Sequence, residues 1–272
     1  MDTLLAIDVH AHFGQYRGSK FKITNQFMSG RAELVVRRAR LARTCLTIVS
    51  PLAALLPRLG GAPVAANKSA ARIVAKTDGL LQWVVVDPTK AQTYRQAEEM
   101  LKLPKCAGIK IHPEEHGYHI ARYGRPIFEF ASRHRAIIQS HSGEKNSLLS
   151  DFVKLADNFP RVQVIISHMG CGWDGDLTHQ VRAIKQSRHG NLYTDTSSAM
   201  SITANLLEWA VEEIGAEHIL YGTDSPLYFA PMQRSRVLNA DISAKAKRLI
   251  LRDNALKLFG KNKAALWLQG SA

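Results

Sequence analysis

The sequence predicts an α/β protein, one (β/α)8 (TIM) barrel over residues 1–272, and three observations predict it. Eight short apolar runs rich in β-branched residues recur along the chain, helical periodicity fills the intervals between them, and 272 residues is an ordinary length for such a barrel in one domain. The runs are Leu4–Val9, Cys45–Val49, Leu81–Val86, Gly108–Ile111, Ala136–Gln139, Val162–Ile166, Leu192–Tyr193 and His218–Tyr221. Their hydrophobicity is continuous rather than alternating, which suits strands covered on both faces, as in a parallel sheet.

The helical stretches follow in order at Ala32–Ala42, Ala70–Lys76, Thr93–Leu101, Ile127–His134, Leu148–Asn158, Asp176–Ser187 and Ile202–Glu213. Strict β-then-α order allows a closed barrel or an open doubly wound sheet. Eight strands in this length favour the barrel, and neither a G-x-G-x-x-G turn nor a phosphate-binding loop follows the first run to favour the open sheet. The longest insertion, Phe13 to Gly30, follows the first run, where a barrel loop can form a lid or a wall of the site.

Composition narrows the class further. The chain is 46% hydrophobic and 22% charged, with no apolar segment long enough to span a bilayer and no signal-peptide pattern at Leu4–Val9, so a cytoplasmic protein without a membrane partner is expected. Cys45, Cys106 and Cys171 are odd in number and unpaired in spacing, which argues against a disulfide framework or a zinc ribbon. The net charge of +13 raises nucleic-acid binding. Its two basic runs, Arg31, Arg37, Arg38, Arg40 and Arg43, then Lys245, Lys247, Arg248, Arg252, Lys257, Lys261 and Lys263, have the spacing of solvated helix faces and come with no nucleic-acid-binding motif. No nucleic-acid partner is therefore expected.

The chemistry lies in the polar residues that end the apolar runs, because the C-terminal ends of barrel strands open into one basin. Run one ends D-V-H-A-H, with Asp8, His10 and His12; run four ends K-I-H-P, with Lys110 and His112. Run five ends S-H-S-G-E at His141, run six S-H-M-G at His168, and run eight G-T-D-S-P at Asp224. His10 and His12 are two apart, so on a strand both face the barrel mouth and can reach one ion. Imidazole with carboxylate suits zinc, with manganese, iron or nickel as alternatives.

This ordered series resembles the amidohydrolase superfamily and, within it, the amidohydrolase-related branch. The likeness runs from I-D-V-H-A-H through G-I-K-I-H-P, S-H-S-G-E, I-I-S-H-M-G and Y-G-T-D-S-P to N-A-L-K-L-F-G. It implies a divalent ion, zinc first, held by His10, His12, His141 and Asp224, with Asp224 also the general base and His168 orienting water or polarising substrate. In binuclear relatives a carboxylated lysine bridges two ions; Lys110 stands in that segment, and His141 and His168 would then bind the second. An unmodified Lys110 would instead anchor an anionic substrate.

His112 either lines the pocket or anchors its loop, Glu144 is either a partner of a ligand or a solvated loop residue, and Asp8 is more naturally structural than a ligand. Arg17, Arg122 and Arg125, in the predicted loops after strands one and four, are candidates to hold a substrate carboxylate, with plain surface exposure as the default. The resemblance implies first a hydrolase of an ester, lactone or amide bond in a small, carboxylated molecule. The second reading is non-oxidative decarboxylation of an aromatic or unsaturated acid on the same ligands. A TatD-like deoxyribonuclease fits less well, because that group carries a glutamate where Lys110 stands. A metal-independent lactonase and a homo-oligomeric assembly are also within the family's range.

Overall fold

The computed structural model describes residues 4–260. Among these, eight strands form one parallel sheet in sequential order: β1 (Ala6–Phe13), β2 (Thr44–Pro51), β3 (Leu80–Val85), β4 (Cys106–Ile111), β5 (Ile138–Ser140), β6 (Val164–Ile166), β7 (Leu192–Asp195) and β8 (Ile219–Leu220). The ring closes where the chain beyond β8 returns to β1. Val9 N–H donates to the Tyr221 carbonyl at 2.9 Å, His12 N–H to Ser225 at 2.6 Å, and Asp224 N–H to His10 at 2.7 Å. The predicted barrel is the observed fold, with each apolar run inside or beside a strand.

Two apolar layers hold it. Between sheet and outer helices, Val84, Ile109, Ile111, Ile138 and Val164 pack with Phe128, Phe152 and Ala131. A second cluster joins Trp83 of β3 with Ile165 of β6, Leu220 of β8, Val9 of β1 and Phe259. Strands one, three, six and eight are spread around the ring and share this cluster, so these side chains meet inside the barrel. Trp83 satisfies its indole there, donating to the Val9 carbonyl at 2.8 Å. Each such fully buried side chain contributes roughly 1.5–3 kcal/mol relative to exposure.

Differences from expectation lie at element ends. β1 runs on through His10 and His12 to Phe13, four residues past the apolar run, because the barrel interior accepts polar side chains at its mouth. The helix expected at Ile127–His134 begins at Ile120 and carries Pro126 within it, on an exposed face. Arg122 and Arg125 therefore lie on this helix rather than in a loop. The helix expected over Asp176–Ser187 starts at His179, because the carboxylates of Asp174 and Asp176 bind the backbone N–H groups of Asp176 and Thr178 in tight turns. The basic residues Arg31, Arg37, Arg40, Arg43, Lys245, Arg248 and Lys257 are exposed; Lys261 and Lys263 lie outside the described residues. No helix among the described residues is long and apolar enough to cross a membrane.

One ion pair ties the C-terminal helices together. Arg236 grips Glu208 bidentately, at 2.9 Å and 2.5 Å, and Glu208 also accepts from Asp241 N–H at 3.1 Å. The Arg236 hydrogen bonds hold the Glu208 carboxyl down at about 2, against an ordinary 4.5. A depressed acid contributes stability above its unfolded value, and the contribution disappears as pH falls from 4.5 through 2. Since the carboxylate is 23% exposed, solvent screening reduces the effect to about 1–2 kcal/mol. Glu208→Gln should lower unfolding stability by that amount at pH 7 and flatten its acid dependence between pH 5 and 2, read by denaturant titration. Equal stability at pH 7 would contradict this.

Candidate active site

The C-terminal ends of the strands surround a cavity of about 270 Å³. Its lining includes His10, His12, Lys110, His112, His141, Glu144, His168, Cys171 and Asp224, together with the apolar side chains of Leu52, Leu55, Leu56 and Leu227 and the rings of Tyr16 and Tyr228. Strands one, four, five and six and the turn after β8 thus deliver their polar ends to one place.

Asp8 anchors the closure rather than the cavity. Its carboxylate accepts from His10 N–H at 3.0 Å, Thr223 N–H at 3.1 Å and the Thr223 hydroxyl at 2.6 Å, tying β1 to the turn after β8. Burial pushes its carboxyl up to about 8 against those donors. Two strand ends are strained: Asp224 after β8 has φ 54° and His168 after β6 has φ 71°, left-handed values that non-glycine residues rarely adopt. Such conformations cost of order 1–3 kcal/mol each and cluster at functional sites, where the surrounding structure imposes them.

His10, His12 and Asp224 offer three ligand atoms within 4.8 Å of one another. Asp224 Oδ1 lies 2.8 Å from His12 Nε2 and 3.8 Å from His10 Nε2. Although the shorter distance is that of an ion pair, this buried oxygen makes no hydrogen bond. Ligands about 2.0–2.1 Å from a tetrahedral ion stand about 3.3 Å apart, between the two observed separations. An orphaned carboxylate oxygen among imidazole nitrogens fits a divalent cation better than any protein donor present. His10 is pushed down to about 4, first by burial and then by Lys110, so its imidazole is neutral at pH 7 and has a nitrogen free to bind an ion. Burial would raise the Asp224 carboxyl, but His12, His10 and His168 outweigh it and hold it at about 2.

His141, the expected fourth ligand, stands apart from this trio. Its Nε2 lies 2.6 Å from Glu144 Oε1 and its ring stacks on His112 at 4.2 Å. Ligation through Nε2 would require it to leave Glu144. His112 combines both roles considered for it, lining the cavity while its Nδ1 accepts the Glu115 N–H at 3.4 Å. Lys110 is fully buried, with Nζ 3.0 Å from His10 Nε2, and burial lowers its ammonium to about 8. It faces the same lone pair that an ion would use.

Arg17, Arg122 and Arg125 are not among the residues that line the cavity. Arg17 is exposed and donates to Gln15 at 2.8 Å, Arg122 lies over the Tyr123 ring at 5.4 Å, and Arg125 pairs with Glu129 at 2.9 Å. The first-strand insertion supplies Tyr16 to the wall, its ends joined by Gly14 and Gly30 in an antiparallel bridge.

The seventh strand contributes what the sequence reading did not select. Asp195, fully buried, ends β7 and lies 3.0 Å from His10 Nδ1; Ser197 lies 2.8 Å from His168 Nδ1. The D-T-S that follows run seven occupies the same place as the motifs chosen on other strands.

A family model described as amidohydrolase matches residues 7–261. The chain belongs to the amidohydrolase family. This amidohydrolase also superposes on solved barrels at low identity. A 2,6-dihydroxybenzoate decarboxylase in complex with 2,6-dihydroxybenzoate has a TM-score of 0.70 at 14% identity, covering 95% of this chain and 99% of that one. A dihydroxybenzoic acid decarboxylase from Polaromonas sp. JS666, with bound manganese and the inhibitor 2-nitroresorcinol, gives 0.72 at 17%, covering 95% and 97%. The 5-carboxyvanillate decarboxylase from Sphingomonas paucimobilis gives 0.68 at 16%, covering 94% and 99%. At these identities the likeness establishes the shared fold.

Proposed function

We propose that this amidohydrolase is a metal-dependent non-oxidative decarboxylase of a small aromatic or unsaturated carboxylic acid, and that hydrolysis, the first reading of the motifs, is the lesser alternative. The structural neighbours named above are decarboxylases of aromatic acids, which supports the second reading over the first. The observation that carries it is the mixed apolar and charged lining of the cavity. Leu52, Leu55, Leu56 and Leu227 offer apolar side chains to a ring, while Lys110 in the same lining attracts a carboxylate. About 270 Å³ is the size of one ring with its substituents. With the three arginines elsewhere, Lys110 is the one lysine or arginine among the described residues that line the cavity, placed to attract a substrate carboxylate.

His10, His12 and Asp224 would hold the ion, zinc or manganese by donor type. When bound it supplies a fixed positive charge that polarises substrate oxygens. In the reaction the ring-to-carboxylate bond breaks, its electron pair stays on the ring carbon, carbon dioxide leaves, and a proton adds to that carbon. Burial leaves His168 neutral and its neighbours leave Asp224 ionised, so neither carries a spare proton at pH 7. Two groups can supply it, the Lys110 ammonium that lines the cavity and, in a hydroxylated aromatic substrate, a ring hydroxyl beside the carboxylate, with Asp224 or His168 placed to hold it before it reaches carbon.

The test is an assay of the purified protein, with zinc or manganese added, against hydroxylated benzoates including 2,6-dihydroxybenzoate and 5-carboxyvanillate, beside a panel of lactones, esters and amides. Carbon dioxide release with deuterium at the vacated ring carbon in heavy water is expected. Turnover of the hydrolysis panel alone would overturn the reading.

A further inference from the structure

Asp195 is the most fully bonded carboxylate in the site, yet it does not line the cavity. Its Oδ1 accepts from His168 N–H at 3.2 Å, Ser197 N–H at 3.1 Å and the Ser197 hydroxyl; its Oδ2 accepts from His10 Nδ1 at 3.0 Å and Gln139 Nε2 at 3.4 Å. A carboxylate has about four lone-pair positions, so five donors saturate it. Although His10, His168 and Asp195 are close enough to form a second ion-binding group, no lone pair on Asp195 remains for an ion.

The proton positions follow. Asp195 only accepts, so His10 must carry its proton on Nδ1 to donate there. Lys110 makes the same demand from the other side of the ring, because an ammonium only donates and lies 3.0 Å from His10 Nε2. Ser197 has one hydroxyl proton, and Asp195 takes it. Its oxygen is then left only to accept, from His168 Nδ1 at 2.8 Å and from His10 Nδ1 at 3.0 Å, which places the His168 proton on Nδ1 as well and agrees with the one on His10 Nδ1. Gly222 keeps the arrangement tight: a Cβ there would meet His10 Cβ at 3.0 Å and Asp195 Cγ at 3.1 Å, so any larger residue would push the strand end away from both.

We propose that Asp195 is a positioning residue which, directly and through Ser197, fixes both His10 and His168 as Nδ1–H tautomers, leaving Nε2 of one for the metal and of the other for the substrate proton. The tautomers follow from the hydrogen bonds alone; their use by metal and substrate rests on the function proposed above. One buried carboxylate on β7 thus sets the ligand on β1 and the proton carrier after β6. A hydrogen-bonded carboxylate behind a ligating imidazole typically accounts for about 10–100-fold in metal affinity.

The experiment has two parts. Long-range proton–nitrogen NMR of the metal-free protein labelled at histidine nitrogen reads the tautomers, and chelator competition reads zinc affinity for wild type, Asp195→Asn and Ser197→Ala. We expect both His10 and His168 as Nδ1–H in wild type. In Asp195→Asn the carboxamide can donate to His10 Nδ1 and reverse its tautomer, weakening zinc binding by about 10–100-fold. In Ser197→Ala, His168 should lose its single tautomer while zinc affinity stays within about threefold, since the Asp195 contact to His10 remains. An Nε2–H tautomer at either histidine in wild type, or wild-type affinity in Asp195→Asn, would overturn the proposal. An Asp195 that only supported the fold would lower the melting temperature and leave tautomers and affinity unchanged, which also overturns it. Should Asp195→Asn not fold, the wild-type tautomers and Ser197→Ala still decide. A wild type with these tautomers but no zinc binding would reject the metal-dependent function and not the tautomer assignment.

Discussion

Asp224→Asn is expected to lower kcat by about a thousandfold while leaving the barrel folded, in the range lost with an acid–base group. The substitution keeps shape and volume at a residue whose backbone, at φ 54°, asparagine tolerates as well as aspartate does. What changes is charge. The carboxylate is held at about 2 by His12, His10 and His168 and has one buried oxygen without a hydrogen bond. A carboxamide there is a poorer metal ligand and cannot carry a proton. Steady-state kinetics on the decarboxylation substrate, with circular dichroism as a folding control, reads the effect. Activity within a few-fold of wild type would remove Asp224 from the chemistry.

The barrel was legible because its strands are covered on both faces, and continuous apolar runs such as Val162–Ile166 mark such strands whatever their neighbours. Their ends were less so. β1 continues through His10 and His12 because the mouth of the barrel is a polar interior, which hydrophobicity does not register. The helix Ile120–His134 was expected to start after Pro126, yet an exposed proline costs a helix one backbone hydrogen bond and some steric strain, which the buried side chains of Ile120, Ile127 and Phe128 offset.

The same contrast holds for the site. His10, His12, Lys110, His112, His141, His168 and Asp224 all line the cavity, as residues ending successive strands should. Which of them touch is set by rotamers and register, so sequence left Glu144 open between a partner of a ligand and a solvated residue, and its contact with His141 decides for the first. The arginines rested on charge and on their expected place in loops after strands one and four. Charge says little about direction, and exposed partners hold Arg17 and Arg125 outside. Asp195 and Ser197 were accessible to the reasoning that found the others, since D-T-S follows the seventh run directly. Asp195 was overlooked because a lone aspartate at a short strand suggests no ligand motif.

The second large effect is on metal binding, expected of His10→Ala combined with His12→Ala. About 10–16 kcal/mol for a four-ligand zinc site is roughly 3 kcal/mol per ligand, so losing two should weaken binding by about 10⁴-fold. Removing His10 also strips Asp195 of a partner and leaves a buried charge less compensated, at some cost in stability. His12→Ala alone keeps that pair and serves as the folded control, with an intermediate loss of affinity. The decisive measurement is metal equivalents per chain in wild type and in the double variant, by elemental analysis after equilibration with zinc or manganese, alongside native mass. The account predicts one equivalent in wild type with an unmodified Lys110 and none in the double variant. Equal metal content in the two proteins, or two equivalents with a carbon dioxide adduct on Lys110, would contradict a single ion held by His10, His12 and Asp224.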